Sequence, residues 1–327
     1  MQIAVDLGAT KTLMALVERD GGRVRVRFEA RYADDDFASF DALAERFVAD
    51  ARAAVGAHDV SAACIGAAGP VAAGRVRMTN RDWTLDEAAL SRRFGWPRVR
   101  IVNDFAAAAA GVEMLRPDDL DTLQAGSPEP AGPRVVLGAG SGLGVAYAVC
   151  DGGAWRIVAG EGGHRSFAAT DERQAALAAY WRGTLGHVSD ESFLSGPGIA
   201  RLYAFERAQV GGAATALDRA LADGAEPEAI SAAADAGDAR AGAALRTFAA
   251  IYGQVAGDHA LAVMATGGVF VAGGLAPKLI GWLRGGFAAA FGAKGAQSAL
   301  MARFPVHVVK HEALGLLGAA VIATGAD

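Results

Sequence analysis

Cysteine is scarce: Cys64 and Cys150 are the only two in 327 residues, and both stand in apolar, strand-like runs. A disulfide framework is therefore not expected, and a reducing compartment is. Basic surface is equally thin, since 31 Lys and Arg against 36 Asp and Glu leave a net charge of -5 with no clustered footprint for nucleic acid. The start Met1-Gln2-Ile3-Ala4-Val5-Asp6 has neither a basic n-region nor a long apolar h-region, so no signal peptide is readable. No uncharged run is long enough to span a bilayer; Ala256 to Gly274 comes nearest, but Asp258 and His259 interrupt it and glycines break its end. We expect a cytoplasmic protein with no membrane and no nucleic-acid partner.

Several catalytic signatures are missing too. None of the four lysines, Lys11, Lys278, Lys294 and Lys310, follows the glycine pattern of a Walker A loop. In Gly138-Ala139-Gly140-Ser141-Gly142-Leu143-Gly144, Leu143 falls where the last glycine of G-x-G-x-x-G should be, which disfavours a Rossmann dehydrogenase. Neither H-E-x-x-H nor paired Cys/His spacing occurs, and no serine sits in a G-x-S-x-G elbow. Zinc hydrolases and serine hydrolases are unsupported.

What is present begins with bulk. Apolar residues make up 52% and charged residues 20%, a globular composition, and 327 residues exceed a comfortable single core. Two domains with a cleft between them are the natural expectation. Ile3 to Val17 reads as strand, Gly/Thr turn, strand, a hairpin whose tip (Gly8, Thr10, Thr12) can offer backbone N-H groups and hydroxyls to phosphate. Asp6, at the end of its first strand, can order water on a bound magnesium ion. A third strand over Val24 to Tyr32 and a helix over Asp41 to Val55 follow. Val135 to Val149 repeats the hairpin, with Gly140-Ser141-Gly142 at its tip. Two such hairpins, one opening each half, suggest a duplicated architecture clasping one polyphosphate from both sides.

Between them, β-branched Val99, Ile101 and Val102 predict a buried strand, and Ala106 to Ala110 predicts a helix, so Asn103-Asp104 falls at a strand exit, where open α/β sheets place ligands. Asp104 is the candidate general base for a substrate hydroxyl; Asp is also a favoured N-cap, and the segment alone leaves both roles open. Asn80 and Trp83 read as loop residues facing a polar ligand. In Gly160-Glu161-Gly162-Gly163-His164 the acid and the imidazole can grip vicinal hydroxyls, and Glu191 adds another carboxylate. The Gly and Pro residues of Leu120 to Pro133 predict a surface loop, and the alanine-rich stretch Ala208 to Ala250 exposed helical hairpins. Ala243 to Met264 reads as a buried helix, Gly273-Gly274 as a place for a flat purine against backbone, Phe304 to Val309 as a strand, and Ala313 to Ala323 as an apolar helix returning to the first domain.

The order of these motifs resembles the bacterial glucokinases, within the actin, Hsp70 and hexokinase superfamily. The resemblance runs through Asp6-Leu7-Gly8-Ala9-Thr10, Met78-Thr79-Asn80, Ile101-Val102-Asn103-Asp104-Phe105, Gly138 to Ala146, Gly160 to His164, Leu194-Ser195-Gly196-Pro197-Gly198 and Gly268 to Gly274, nearly the whole length. It implies an α/β, two-domain actin-like ATPase (ribonuclease H-like) fold, with mixed sheets flanked by helices and a cleft between a small domain (1-108 plus 311-327) and a large one (109-310). It implies ATP-dependent phosphorylation of D-glucose at the 6-hydroxyl, with Asp104 as base and Asn103 beside it. Asn80, Glu161, His164 and Glu191 would complete the sugar cage. Asp6, Gly8, Ala9, Thr10, Lys11 and Thr12, with Gly140, Ser141 and Gly142, would hold the ATP phosphates and Mg2+, Asp6 being the residue nearest the metal, and Gly273 and Gly274 would lie by the adenosine. A homodimer is implied on the same ground alone. Departures from the family pattern are Ala9 in place of a second glycine, Lys11 after Thr10, and Ser192 where Arg is frequent. A kinase for another hexose or amino sugar, and a sugar-sensing protein without catalysis, are the alternative readings.

Overall fold

The computed structural model describes residues 1–8, 10–21, 23–78, 81–211, 213–224 and 226–325. Two sheets organise it. The first has the order β3-β2-β1-β4-β7, formed by β1 (Gln2–Leu7), β2 (Lys11–Asp20), β3 (Arg23–Ala33), β4 (Ala62–Ala67) and β7 (Val99–Asn103). A short hairpin of β5 (Arg75–Arg77) and β6 (Thr84–Asp86) stands beside it. The second sheet has the order β11-β10-β9-β12-β13-β8, from β8 (Leu120–Gln124), β9 (Arg134–Ala139), β10 (Leu143–Asp151), β11 (Ala154–Gly160), β12 (Gly268–Ala272) and β13 (Val306–Val309).

The duplication expected from the two hairpins is present in full. Leaving β8 aside, in each sheet the first strand (β1 or β9) pairs antiparallel with the second and parallel with the fourth, and the fourth pairs parallel with the fifth. The third strand of each meander, β3 or β11, is an edge, and β3 carries Arg23, Arg25 and Arg27 there, charges that discourage another strand from adding on. Leu120 to Gln124 departs from expectation. Its neighbouring Gly and Pro predict a loop, yet it pairs antiparallel with β13, because a five-residue edge strand needs little local signal when its partner is already in place.

Each sheet buries both faces. On the first, Ile3, Val5 and Leu7 point to α1 (Phe40–Val55), whose Leu43, Ala44, Phe47 and Ala51 meet them, while α2 (Glu87–Phe94) adds Leu90. Trp83 lies in that core, only 7% exposed, with the Arg81 guanidinium 4.9 Å from its ring centre. It does not face a ligand as its loop context suggested. On the second sheet, Val135, Leu137, Val269 and Val271 pack against α5 (Gly196–Val210) and α8 (Ala239–Val263). The helices α4 (Glu172–Leu185), α6 (Ala216–Ala222) and α7 (Glu228–Asp235) flank that layer. Short helices α9 (Leu275–Lys278), α10 (Ile280–Arg284), α11 (Phe287–Gly292) and α12 (Ser298–Met301) connect β12 to β13.

The remaining two helices lie between the sheets. The alanine run forms α3 (Asp104–Gly111), and the apolar C-terminal stretch forms α13 (Leu314–Thr324), as expected. Leu316, Ala319, Ala320 and Ala323 of α13 cover Ala4, Ala15 and Cys64 on the inner face of the first sheet. Ala108 and Ala109 of α3 cover Val136, Ala146 and Phe270 on the inner face of the second. The two helices touch each other where side chains are absent: a Cβ on Gly318 would overlap the Ala107 carbonyl oxygen, and one on Gly111 would lie 2.6 Å from the Leu314 carbonyl oxygen. Among the described residues, no helix is long and apolar enough to cross a membrane.

This crossing generates a test. In an unconstrained helix Gly→Ala gains about 0.5–1 kcal/mol, whereas overpacking a filled core costs about 1–3 kcal/mol. Gly318→Ala should therefore destabilise the protein in urea or thermal unfolding; a variant more stable than the parent would show that the crossing has room.

Candidate active site

The strand exit at β7 bears on the cap role left open for Asp104. Asn103 supplies the cap of α3: its Oδ1 accepts from the N-H groups of Phe105 at 3.0 Å and Ala106 at 3.2 Å, and its Nδ2 donates to the Gly69 carbonyl at 3.4 Å. With the helix start satisfied by an amide, the Asp104 carboxylate is not needed as a cap. Asp104 Oδ1 accepts from the Phe105 N-H at 2.9 Å, and the residue lines the cleft. Burial pushes its pKa above the ordinary carboxylate value, the Phe105 and Asp104 amides and Asn103 pull back against it, and the negative charge of Glu161 adds to the rise.

Asp6, at the end of β1, lines the same cleft, and its pKa is pushed up to about 6, first by burial and then by the charge of Asp104. Its carboxylate accepts no hydrogen bond among the described residues. Gly315 stands against it, so close that a Cβ would lie 2.8 Å from Asp6 Oδ2. The adjoining turn is closed by the Gly8 N-H, which donates to the Lys11 carbonyl at 3.2 Å. Thr10 and Lys11 are exposed there. Thr12 is not available to a phosphate: it is fully buried, and its hydroxyl donates to Asp34 Oδ1 at 2.6 Å. Thr12 is the second residue of β2, and successive side chains of a strand point to opposite faces, so Lys11 is exposed while the Thr12 hydroxyl is turned inward. Ala9 and Asn80 lie outside the described residues.

The second turn is held from three directions. Gly140 N-H donates to the Gly142 carbonyl at 2.8 Å, Gly196 N-H at the start of α5 donates to the Gly140 carbonyl at 2.8 Å, and Leu143 N-H donates to Glu191 Oε2 at 2.8 Å. Ser141 sits exposed between them. Gly142 leaves space for Glu191, whose Oε2 would be 2.5 Å from a Cβ there. Glu191 thus braces the turn with one oxygen while the other faces His164, whose Nδ1 is 3.9 Å away; His164 Nε2 is in turn 3.9 Å from Glu161 Oε2. These separations exceed a hydrogen bond and leave the three polar groups open to a ligand.

Behind this cluster lies a partly buried ion network that the sequence did not disclose. Arg165 Nε donates to Asp190 Oδ2 at 2.9 Å, and Arg165 also lies 3.6 Å from Asp258, which pairs with Lys294. Arg165 follows His164 and Asp190 precedes Glu191, so this pair ties the two cage segments together. Asp190 is fully buried, and burial raises its pKa to about 6 against the pull of Arg165. Only adjacency to the motifs could have signalled it, since the partners are spread from residue 165 to residue 294.

Two cavities meet at Asp104, Phe105 and Gly273. One, of about 730 Å³, is lined by Gly8, Asn103, Asp104, Gly140, Ser141, Gly142, Glu161, His164 and Glu191. The other, of about 460 Å³, is lined by Asp6, Asp104, Gly273, Gly274, Lys278, Lys310 and Gly315. Gly273 has φ +80° and presses on the end of β9, where a Cβ would lie 2.7 Å from the Ala139 carbonyl oxygen, so its lack of a side chain is required by the backbone as well as convenient for a ligand.

Two like-ordered sheets, each offering a glycine turn to a shared cleft with a carboxylate at its floor, define an actin-like ATPase of the ribonuclease H-like class. The chain belongs to the glucokinase family, whose model matches residues 3–326. It is 37% identical over 344 residues to a glucokinase from Synechocystis, covering 98% of this chain and 97% of that protein. Its structure is similar to the crystal structure of a glucokinase from an Antarctic psychrotroph, with TM-score 0.86, 29% identity and 98% of each chain covered. The fold is also shared with a ROK family glucokinase from Streptomyces griseus solved with glucose and AMPPNP, at TM-score 0.65 and 24% identity over 98% of each chain.

Glu191 carries the prediction from this geometry. Glu191→Ala leaves the Leu143 N-H without its acceptor, a loss of about 1–3 kcal/mol, whereas Glu191→Gln keeps an oxygen there. Urea unfolding should rank the alanine variant below the glutamine variant; equal stabilities would remove the brace.

Proposed function

We propose that this protein transfers the γ-phosphoryl group of ATP to the 6-hydroxyl of D-glucose, giving glucose 6-phosphate. The observation that carries the reading is the place of Asp104, uncapped at the junction of two cavities, one walled by hydroxyl-reading side chains and the other by a side-chain-free glycine pair. Family membership and neighbours crystallised with glucose or AMPPNP support it.

In this reading Glu161, His164 and Glu191, with Asn80 and Asn103, hold the sugar hydroxyls; Asn103 contributes little through its oxygen, which the helix cap already uses. Asp104 accepts the proton from the 6-hydroxyl as that oxygen attacks the γ-phosphorus and the bond to the bridging oxygen of ADP breaks. The turns at Gly8–Lys11 and Gly140–Gly142 hold the phosphates through backbone N-H groups, and Gly273-Gly274 receives the adenosine. Asp6 suits Mg2+: its carboxylate is half-buried, lines the cleft and accepts no hydrogen bond among the described residues, and magnesium commonly takes one or two carboxylates with waters and phosphate oxygens. When bound, the ion neutralises charge on the phosphates. We divide the chain into a small unit, 1–108 plus 311–327, and a large unit, 109–310, the line crossing α3, and assign to their closure the exclusion of water. We place the enzyme in the cytoplasm as a homodimer; light scattering coupled to gel filtration reads the assembly.

Asp104→Asn should lower kcat by about 10²–10⁴-fold in a coupled assay while calorimetric glucose affinity changes far less. A nearly fully active variant would take the base role from Asp104. Turnover compared across glucose, mannose, fructose and N-acetylglucosamine separates glucose from other sugars, and no turnover with any of them would favour a binding protein.

The pH dependence has a defined sign. Asp104 works ionised, and its raised pKa means that kcat falls with acidification at a pH above the ordinary carboxylate value of about 4. Glu161→Gln removes a negative neighbour, lowers the pKa of Asp104 and should move that acid limb to lower pH.

A further inference from the structure

Gly138 and Gly144 face each other as direct partners in the β9–β10 ladder, and they form a patch without side chains on the second sheet. The ring of Phe105 sits on this patch: a Cβ on Gly144 would overlap the ring, and one on Gly138 would lie 2.8 Å from Phe105 Cζ. Both glycines belong to the run that reads in sequence as a phosphate loop, yet neither is at its tip. The bareness of Gly144 serves an aromatic side chain from the other half of the molecule, and that of Gly138 serves it together with the Ala272 carbonyl oxygen, which would lie 2.7 Å from a Cβ there.

Phe105 is also the residue whose N-H donates to both Asn103 Oδ1 and Asp104 Oδ1, and its ring lines both cavities. One residue therefore touches the second sheet with its side chain and the candidate base with its backbone. Asp104 itself stands at the end of a strand of the first sheet, while the turn at Gly140–Gly142 lies between β9 and β10, a few residues from each glycine of the patch.

We infer that Phe105 is a positioning residue, which by seating its ring on Gly138 and Gly144 sets where Asp104 stands relative to the second phosphate turn. The inference rests on the proposed role of Asp104 as base. The physical reason is that Asn103 and the β4 pairing fix Asp104 to the first sheet, while α3 otherwise meets the second sheet through small apolar side chains such as Ala108 and Ala109. An aromatic ring filling a seat of fixed depth sets the helix start against that second sheet. Misplacement of a reacting group by about 1 Å is enough to cost about 10²-fold in rate.

Phe105→Ala should lower kcat by about 10- to 100-fold with the KM for glucose changed less than about threefold, because the cage residues are untouched. Gly144→Ala, which fills the seat from the other side, should cause a comparable kcat loss in the parent and almost none in Phe105→Ala, where no ring remains to be displaced. In Asp104→Asn, Phe105→Ala should cost nothing further, since the group it positions is gone. Should Gly144→Ala not fold, Phe105→Leu against Phe105→Ala replaces it, with leucine retaining part of the rate. Independent, multiplicative losses in the double variants, or a loss in KM alone, would overturn the positioning role while leaving Asp104 as base. A fully active Asp104→Asn enzyme would instead overturn the base reading itself.

Discussion

The contact on which the molecule turns is the backbone-to-backbone approach of α3 and α13 at Ala107, Gly111 and Gly318. Helix pairs ordinarily stand 8–10 Å apart because side chains intervene. Here glycine removes them at the crossing, and alanines carry the contacts to the sheets on either side. The sheets can then share a single cleft whose floor is built from strand ends and helix starts, where unpaired N-H groups and carboxylates are available for chemistry. Larger residues at that crossing would part the two glycine turns.

That arrangement concentrates negative charge. Asp6 and Asp104 are both held where burial opposes ionisation, and among the described residues neither makes an ion pair. Their neighbours Lys278 and Lys310 line the smaller of the two cavities without reaching them as partners. A site of this kind is poised for ligands that bring cations or hydrogen-bond donors with them, and a metal-bound polyphosphate beside a polyhydroxylated sugar brings both. The cost of the buried acids is offset by a rigid surround, in which Asn103 caps, Glu191 braces, and Arg165 with Asp190 locks the cage segments from behind.

Much of this was legible in the chain. Alternation of apolar residues with a glycine turn located both hairpins, the alanine run located α3, and the apolar C-terminal stretch located α13, since each depends on local periodicity and propensity. Asp104, Glu161, His164 and Glu191, singled out in the sequence as polar residues beside glycine-rich turns, line one cavity. Where local signal was weak or ambiguous the reading failed. Leu120–Gln124 is a strand only because β13 is waiting for it, Trp83 is core because the fold gathers it into the apolar cluster of the first sheet, and Thr12 is turned from the cleft toward Asp34.

The amino-acid order was sufficient for the element types, the duplicated plan and most of the polar groups of the site, all of which follow from patterns spanning a few residues. Which of Asn103 and Asp104 caps the helix, which glycines stand at the tip of a turn and which receive the Phe105 ring, and which ions stand behind the cage were decided only on folding. Those choices depend on partners that lie tens to hundreds of positions away, and a side chain's role is set by the atoms brought against it.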